Sequence, residues 1–376
     1  MQNVVVLGGG VGGSVVANHL AKKSRRGDCK ITVVDEDGKH VYQPGFLYVT
    51  LGKQNPAKLM RDERTLLKRR VDMVTSRAER IDAGERTVHL AGGKKLDYDY
   101  LVIATGSTLH PEQVPGFEGA HHFYSLEGSI GLRNALMKFN GGDVVIAVGG
   151  VPYKCPPAPA ESACLLDYYF TKRGIRDKVN LKFLSPLGRV FPLESLDPLV
   201  TEVFKQKNVE TTIFFNIESI DPKSKKVESL EGETVSYDLL IAIPPHSGAD
   251  VVIDSGLGDR GGWIPTDRHS LLAKGHGDIY VVGDATDIPI SKAGATAHYE
   301  GLVVGDNIAA RLKGQSPPDN YDGKVTCFCD AGFHKGIMMT FDYENPPVPP
   351  PLNRRHYLGK MMINRLYWML IPKARV

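Results

Sequence analysis

Residues Asn3–Gly13 read NVVVLGGGVGG, an apolar run that breaks into GxGxxG with Gly8, Gly10 and Gly13 at its fixed places. A continuous apolar run ending in glycines is the pattern of a strand buried on both faces and followed by a tight turn. Ser14–Lys23 then reads as a helix, and Ile31–Val34 as a second strand that ends on Asp35. In such a unit Gly8 makes the turn, Gly10 admits a diphosphate to the backbone, and Gly13 lets helix and strand pack closely. An acid at the end of the next strand hydrogen-bonds a ribose hydroxyl, the role expected of Asp35. A lone GxGxxG is a weak signal. Placed between strand and helix, with Asp35 following, it predicts a dinucleotide-binding α/β domain.

A second unit of this kind begins at Asp143–Gly150 (DVVIAVGG) and then changes character. The chain continues Val151-Pro152-Tyr153-Lys154-Cys155-Pro156-Pro157-Ala158-Pro159. A phosphate cradle needs free backbone N–H groups, and proline has none while its ring blocks close approach. In place of the cradle stands a cysteine beside Lys154, whose charge is expected to favour the thiolate. The reading is a second Rossmann-like domain in which a nicotinamide site has been exchanged for a thiol site.

Two later segments select the dinucleotide. Tyr98–Ser107 (YDYLVIATGS) is a strand running into Ala104, Thr105 and Gly106, and Gly277–Ala285 (GDIYVVGDA) is a strand ending in Gly283 and Asp284. These look like the ATG and GD segments of two-dinucleotide-fold flavoprotein reductases. The resemblance implies FAD, with Asp284 on its ribityl chain. It narrows at Lys154–Glu161 (KCPPAPAE), which is similar to the KCPPxPxE run of sulfide:quinone oxidoreductases and of the flavoprotein subunit of flavocytochrome c sulfide dehydrogenases. Tyr237–His246, Ser291–Ala297 and Val325–Phe328 follow in that family's order.

What the resemblance implies is concrete. Sulfide is oxidised to sulfane sulfur or polysulfide through Cys155 and Cys327, with Glu161 and Cys329 as auxiliary residues, and electrons pass through FAD to membrane quinone. Lys292 and the helix start after it stabilise negative charge on the reduced flavin. His298 and Lys360 stand where the quinone oxygens would be served. One departure is plain: the third cysteine of many sulfide:quinone oxidoreductases is missing, and Ser125 stands nearest its place, so attachment of FAD there is not expected. That departure keeps open an alternative in which a cytochrome c partner takes the electrons. A non-catalytic flavin-bearing sulfur carrier is a further reading, and a type II NADH dehydrogenase is disfavoured by the lost second glycine loop.

Composition agrees with an enzyme of two ordinary domains: 376 residues, 42% hydrophobic and 24% charged. A net charge of only +3 argues against nucleic acid as a partner. The first strand begins at residue 3, so no leader is expected, no apolar run of about 18 residues predicts a membrane-crossing helix, and His110, His121 and His122 lack a third ligand at metal spacing. Of the five cysteines, Cys164 reads as a small buried hydrophobe and Cys29 as part of a polar turn with no role. Cys329, two residues from Cys327 on a strand, is expected on the same face.

The tail points to lipid. Asn345–Pro351 (NPPVPPP) is a stiff connector, and beyond Glu344 there are no acids, only Arg354, Arg355, Lys360, Arg365, Lys373 and Arg375 among Trp, Tyr, Leu and Met. Such a mixture suits an anionic bilayer surface. Because Arg365 falls on the same side as Leu358 and Met369, two short segments with a bend are expected; a helix packed on the core or between protomers of a homo-oligomer is the competing reading. The expected organisation is a discontinuous FAD domain (1–110 with 272–320), a second domain (111–271), and a region 321–376 carrying Cys327 and the quinone and membrane functions. The expected location is peripheral, at the cytoplasmic face of a membrane.

Overall fold

The buried valines of the first strand, Val4 and Val6 at 0% exposure, demand cover on both faces, and the fold supplies it with helices around a parallel sheet. The computed structural model describes residues 1–318 and 320–375. Along the chain run β1 (Gln2–Leu7), α1 (Val11–Lys23), β2 (Cys29–Asp35), β3 (Val71–Thr75) and β4 (Tyr100–Ile103). A second set follows: β5 (Gly142–Val148), α2 (Ala158–Lys172), β6 (Val179–Leu184), β7 (Val209–Thr212) and β8 (Leu239–Ile243). The chain then adds β9 (Ile279–Val281), α3 (Gly294–Arg311), the hairpin strands β10 (Val325–Asp330) and β11 (Gly336–Phe341), and α4 (Arg354–Leu370).

The first sheet has the order β9-β4-β1-β2-β3 and the second β7-β6-β5-β8, with every pairing parallel. In each sheet the chain moves outward from its first strand on one side and returns on the other. The reversal opens a crevice at the carboxyl ends of the strands flanking the switch, where ligands bind in such sheets. In the first sheet this crevice lies between Gly8 and Ala104; in the second it lies between Gly149 and Pro244. The two-domain Rossmann-like fold read from the sequence is the observed one.

Local boundaries differ in instructive places. Cys29 is the first residue of β2, paired in register with Gln2 and 7% exposed. The polar-turn reading of this thiol is therefore corrected: strand pairing with β1 carries it into the core, and burial pushes its pKa up. The tail also differs. Residues 354–370 form one uninterrupted helix, capped by Asn353, whose side chain accepts from the His356 N–H at 2.9 Å. Its inner face buries Lys360 and Tyr367, while Leu358, Met362, Arg365 and Met369 lie exposed along the outer face. The mixed pattern that suggested a bend arises because both faces are in use. Among the described residues, no helix is long and apolar enough to cross a membrane.

Candidate active site

The first crevice is shaped by contacts only glycine allows. A Cβ at Gly13 would stand 1.9 Å from the Gly8 carbonyl oxygen, so the packing of α1 on β1 excludes any side chain there. At Gly10 and Gly106 an added Cβ would meet nothing within 4 Å, which leaves open space beside the backbone. No side chain caps the N-terminus of α1 or of α3, so their first amides are free to meet negative charge. Thr105 presents a buried hydroxyl with no protein partner. Asp284 is half-buried, and desolvation raises its pKa although Lys154 and Lys292 oppose the shift. These features fit FAD: a diphosphate on the α1 amides, a sugar alcohol near Asp284, and an anionic ring edge at the start of α3. Asp35 accepts from the Gly9 N–H at 2.8 Å and the Gly38 N–H at 2.8 Å. It thereby braces the glycine turn.

The second crevice holds the thiols. Cys155 lies in a left-handed conformation, φ 51°, that disfavours non-glycine residues. Its N–H donates to the Lys292 carbonyl at 2.6 Å, joining the cysteine loop to the segment before α3. Burial, and then the charge of Cys327, push the Cys155 thiol up. Cys327 behaves oppositely. Cys329, on the same face of β10 as expected, hydrogen-bonds its sulfur and holds it below the ordinary thiol value; the Lys360 ammonium helps, and burial opposes. Lys154 attracts the charge of a Cys155 thiolate as expected, but burial outweighs that attraction and the thiol stays above its ordinary value. Lys154 is half-buried, with its own pKa lowered by burial, and a second cation, Lys360 of α4, opposes the rise at Cys155 and adds to the fall at Cys327. All five cysteines are free thiols.

Glu161, in the first turn of α2, anchors that cation. Its carboxylate accepts from Lys360 Nζ and, at 3.0 Å, from the Asp330 N–H of β10. Burial pulls Lys360 down, but Glu161, Tyr48 and Cys329 together override it and hold the ammonium well above its ordinary value. Lys292 Nζ donates to the carbonyls of Asp284 at 2.9 Å and Thr286 at 2.6 Å, and lies 3.8 Å from the Trp263 ring centroid. A cleft of about 740 Å³ reaches the outer side of the cysteine loop, lined by Tyr153, Pro156, Trp263, Lys292 and Phe341 among others. His298 is buried in the second turn of α3, its ring edge-on to Tyr299 at 5.5 Å. Ser125 caps the helix Leu126–Lys138, its hydroxyl accepting from the Gly128 N–H at 3.0 Å.

The family model described as pyridine nucleotide-disulphide oxidoreductase matches residues 2–301. The chain belongs to the pyridine nucleotide-disulphide oxidoreductase family. It has curated relatives over nearly its whole length. It is 27% identical to the mitochondrial sulfide:quinone oxidoreductase of Mus musculus over 99% of this chain and 86% of that protein. It is 28% identical to the sulfide-quinone reductase of Aquifex aeolicus (strain VF5), over 96% and 86% of the two chains. The solved sulfide:quinone oxidoreductase of Aquifex aeolicus superposes with a TM-score of 0.88 at 24% identity, covering 99% of this chain and 92% of that one, a likeness of fold.

Sequence reasoning missed one buried acid of this pyridine nucleotide-disulphide oxidoreductase. Glu300, fully buried on α3, accepts from the Gly283 N–H, and burial raises its pKa to about 8. The signal was an acid among the apolar residues of a helix that must pack on α1. A carboxyl whose folded pKa is raised binds its proton more tightly in the native state. Its stabilising effect is complete below the unfolded value of about 4.3 and is lost as pH rises through about 8. Denaturant titrations should therefore show stability falling across this range, and Glu300→Gln should flatten the fall. For the thiols, Cys329→Ala should move the pH midpoint of Cys327 alkylation upward, since a thiol hydrogen bond to the thiolate is lost. An unchanged midpoint would remove Cys329 from that role.

Proposed function

We propose that the protein oxidises sulfide through Cys155 and Cys327 and delivers the electrons to membrane quinone. The observation that carries this reading is Cys155 in the loop that stands where a nicotinamide cradle would be, its N–H bonded to the Lys292 carbonyl before α3, with the Lys360 ammonium of α4 acting on both Cys155 and Cys327 of β10. Gly8–Gly13, Ala104–Gly106, Gly283 and Asp284 would hold FAD, which when bound would supply the two-electron acceptor between thiols and quinone. In the oxidised state the two cysteines form a disulfide. Hydrosulfide attacks Cys155 Sγ, the S–S bond breaks, the incoming sulfur remains on Cys155 as a persulfide, and Cys327 departs as thiolate. A thiol of lower pKa leaves faster, and Cys327 has the Cys329 hydrogen bond and Lys360 to take up its charge. Cys155, pushed up by burial, is suited to keep the added sulfur. A second hydrosulfide takes the outer sulfur away as polysulfide and leaves Cys155 as thiolate, and the two thiolates close the disulfide again by losing the electron pair that FAD would accept for quinone.

The division into 1–110 with 272–320, 111–271 and 321–376 belongs to the same proposal, as do His298 and Lys360 at the quinone oxygens. The outer face of α4 supports peripheral attachment: Leu358, Met362 and Met369 are 52%, 56% and 55% exposed, and Arg354, Arg355 and Arg365 are exposed with them. An apolar stripe framed by arginines suits an anionic bilayer, here at the cytoplasmic face. Ser125, which caps a helix where a third cysteine would stand, favours FAD without a thioether at that place and keeps a cytochrome c acceptor as the second reading.

Sulfide should bleach the bound flavin quickly under anaerobic conditions and NADH slowly, because the proline loop lacks the amides a nicotinamide dinucleotide needs. Cys155→Ser and Cys327→Ser should each abolish sulfide-dependent turnover with FAD retained, and Cys164→Ser should stay active. Fast reduction by NADH would overturn the reading. Reoxidation by cytochrome c in place of decylubiquinone would select the second reading, and absence of any sulfide-driven reduction would leave only a sulfur carrier.

Because α4 packs its inner face on the core, the membrane role is tested at its surface. Leu358→Glu with Met362→Glu should cut liposome binding and quinone reduction together while sulfide still bleaches flavin. Salt should weaken liposome binding by the unaltered protein. Normal liposome binding by the double variant would exclude this docking face.

A further inference from the structure

A chain of buried polar groups unrelated to the thiols runs from the glycine loop to the last helix. Ser14, Glu63 and His40 are 0%, 0% and 1% exposed, and Tyr367 is 5% exposed. The Ser14 hydroxyl lies 2.8 Å from the Gly10 carbonyl and 2.7 Å from Glu63 Oε1. His40 Nδ1 faces Glu63 Oε2 at 2.9 Å and the Gly9 carbonyl at 3.0 Å, so that nitrogen carries a hydrogen and donates it. The other ring nitrogen meets the Tyr367 hydroxyl at 2.6 Å. Four residues from four separate segments thus tie the carbonyls of Gly9 and Gly10 to the inner face of α4.

Neighbouring contacts run the same way. Asn18, one turn after Ser14 on the same face of α1, donates to the Pro372 carbonyl at 2.7 Å. The Tyr42 hydroxyl donates to Asn364, and its ring stacks at 4.2 Å on Tyr367. Every polar atom of the chain Ser14–Glu63–His40–Tyr367 has a partner, and unmaking one link strands the next in a dry interior, where an unpaired group is costly. None of these residues is needed to hold β1 to β2 or α1 to α3. Their common feature is that they join the loop whose free amides fit a diphosphate to the helix that carries Lys360.

We infer that this chain makes α4 a clamp on the dinucleotide loop, so that retention of FAD and seating of α4 are one coupled event. Tyr367, His40 and Glu63 act as positioning residues. They fix the Gly9 and Gly10 peptide planes from behind, and the open face of the loop keeps its amides aimed at the ligand. Coupling of this kind is reciprocal: a ligand that orders the loop must also resist the opening of α4. The inference rests on the FAD reading above.

The test uses the full-length protein loaded with FAD. Tyr367→Phe deletes one hydroxyl and keeps the ring contacts; Glu63→Gln keeps the shape of the central link. Release of FAD, followed by its fluorescence, should be about tenfold tighter in the parent than in either variant, the scale of one stranded buried partner. In the same samples FAD should slow tryptic cleavage at Arg354, Arg355 and Arg365 of the parent, since cutting inside a helix requires local opening, and should give little protection in the variants. Variants that bind FAD as tightly as the parent, or whose α4 is protected by FAD to the same degree, overturn the clamp. A lowered melting temperature with unchanged FAD affinity does so too, and assigns the chain to stability alone. Parent protein that takes up no FAD would sink the cofactor reading and the clamp with it.

Discussion

The buried pair of Glu161 and Lys360 is the constraint on which the rest of the site depends. A carboxylate in the first turn of α2 and an ammonium from the last helix meet in the interior, and the Asp330 N–H of β10 completes the set. Breaking such a pair by removing one partner costs about 3–5 kcal/mol, because the other charge is left in a dry interior. The geometry that satisfies Glu161 therefore also dictates where α2, the β10–β11 hairpin and α4 sit relative to one another. Those are the elements that carry Cys155 at their edge, Cys327 and Cys329 on the hairpin, and the cation that both reactive thiols share. Thiol chemistry and tertiary assembly are held by the same charge.

The two switch points of the parallel sheets have been put to different uses. At the first, glycines and uncapped helix ends leave amides exposed, which suits a diphosphate. At the second, prolines close the backbone and Cys155 is forced into a left-handed turn, which suits covalent sulfur chemistry. The Cys155 N–H to Lys292 carbonyl bond, at 2.6 Å, is the short path between them. It brings the thiol loop to the start of α3, where an uncapped helix end meets the dinucleotide crevice. The asymmetry between the thiols follows from their neighbours: Cys155 has burial and a like charge against it, whereas Cys327 has a donor and a cation in its favour.

Much of this was legible in the chain itself. The GxGxxG loop with Asp35, the ATG and GD strand ends, and the proline-cysteine run each carry meaning in local backbone chemistry, and local chemistry is written in adjacent residues. The pairing of Cys327 with Cys329 followed from strand periodicity alone. Less was legible where the partner lies far away in sequence. Lys154 stands next to Cys155 and attracts its negative charge, yet burial of the thiol outweighs that attraction, and burial is not written in adjacent residues. The tail looked like a clash of patterns because one face of α4 answers to the core and the other to solvent.

By itself, the sequence determined the α/β class, the intact first dinucleotide crevice, the loss of the second, and the identity of the cysteines in the altered loop and hairpin. These depend on which residues can form strands, turns and amide cradles, and that is decided within a dozen neighbours. Only the tertiary structure decided which cation faces the thiols, that Cys29 is a core residue, that Glu300 lies buried under Gly283, and that Tyr367 reaches His40 behind the glycine loop. Each of those depends on contacts outside the local stretch, from Gly283 with Glu300, 17 residues apart, to His40 with Tyr367, 327 apart, and burial, which changes the worth of every charge and hydrogen bond, exists only once the chain has folded.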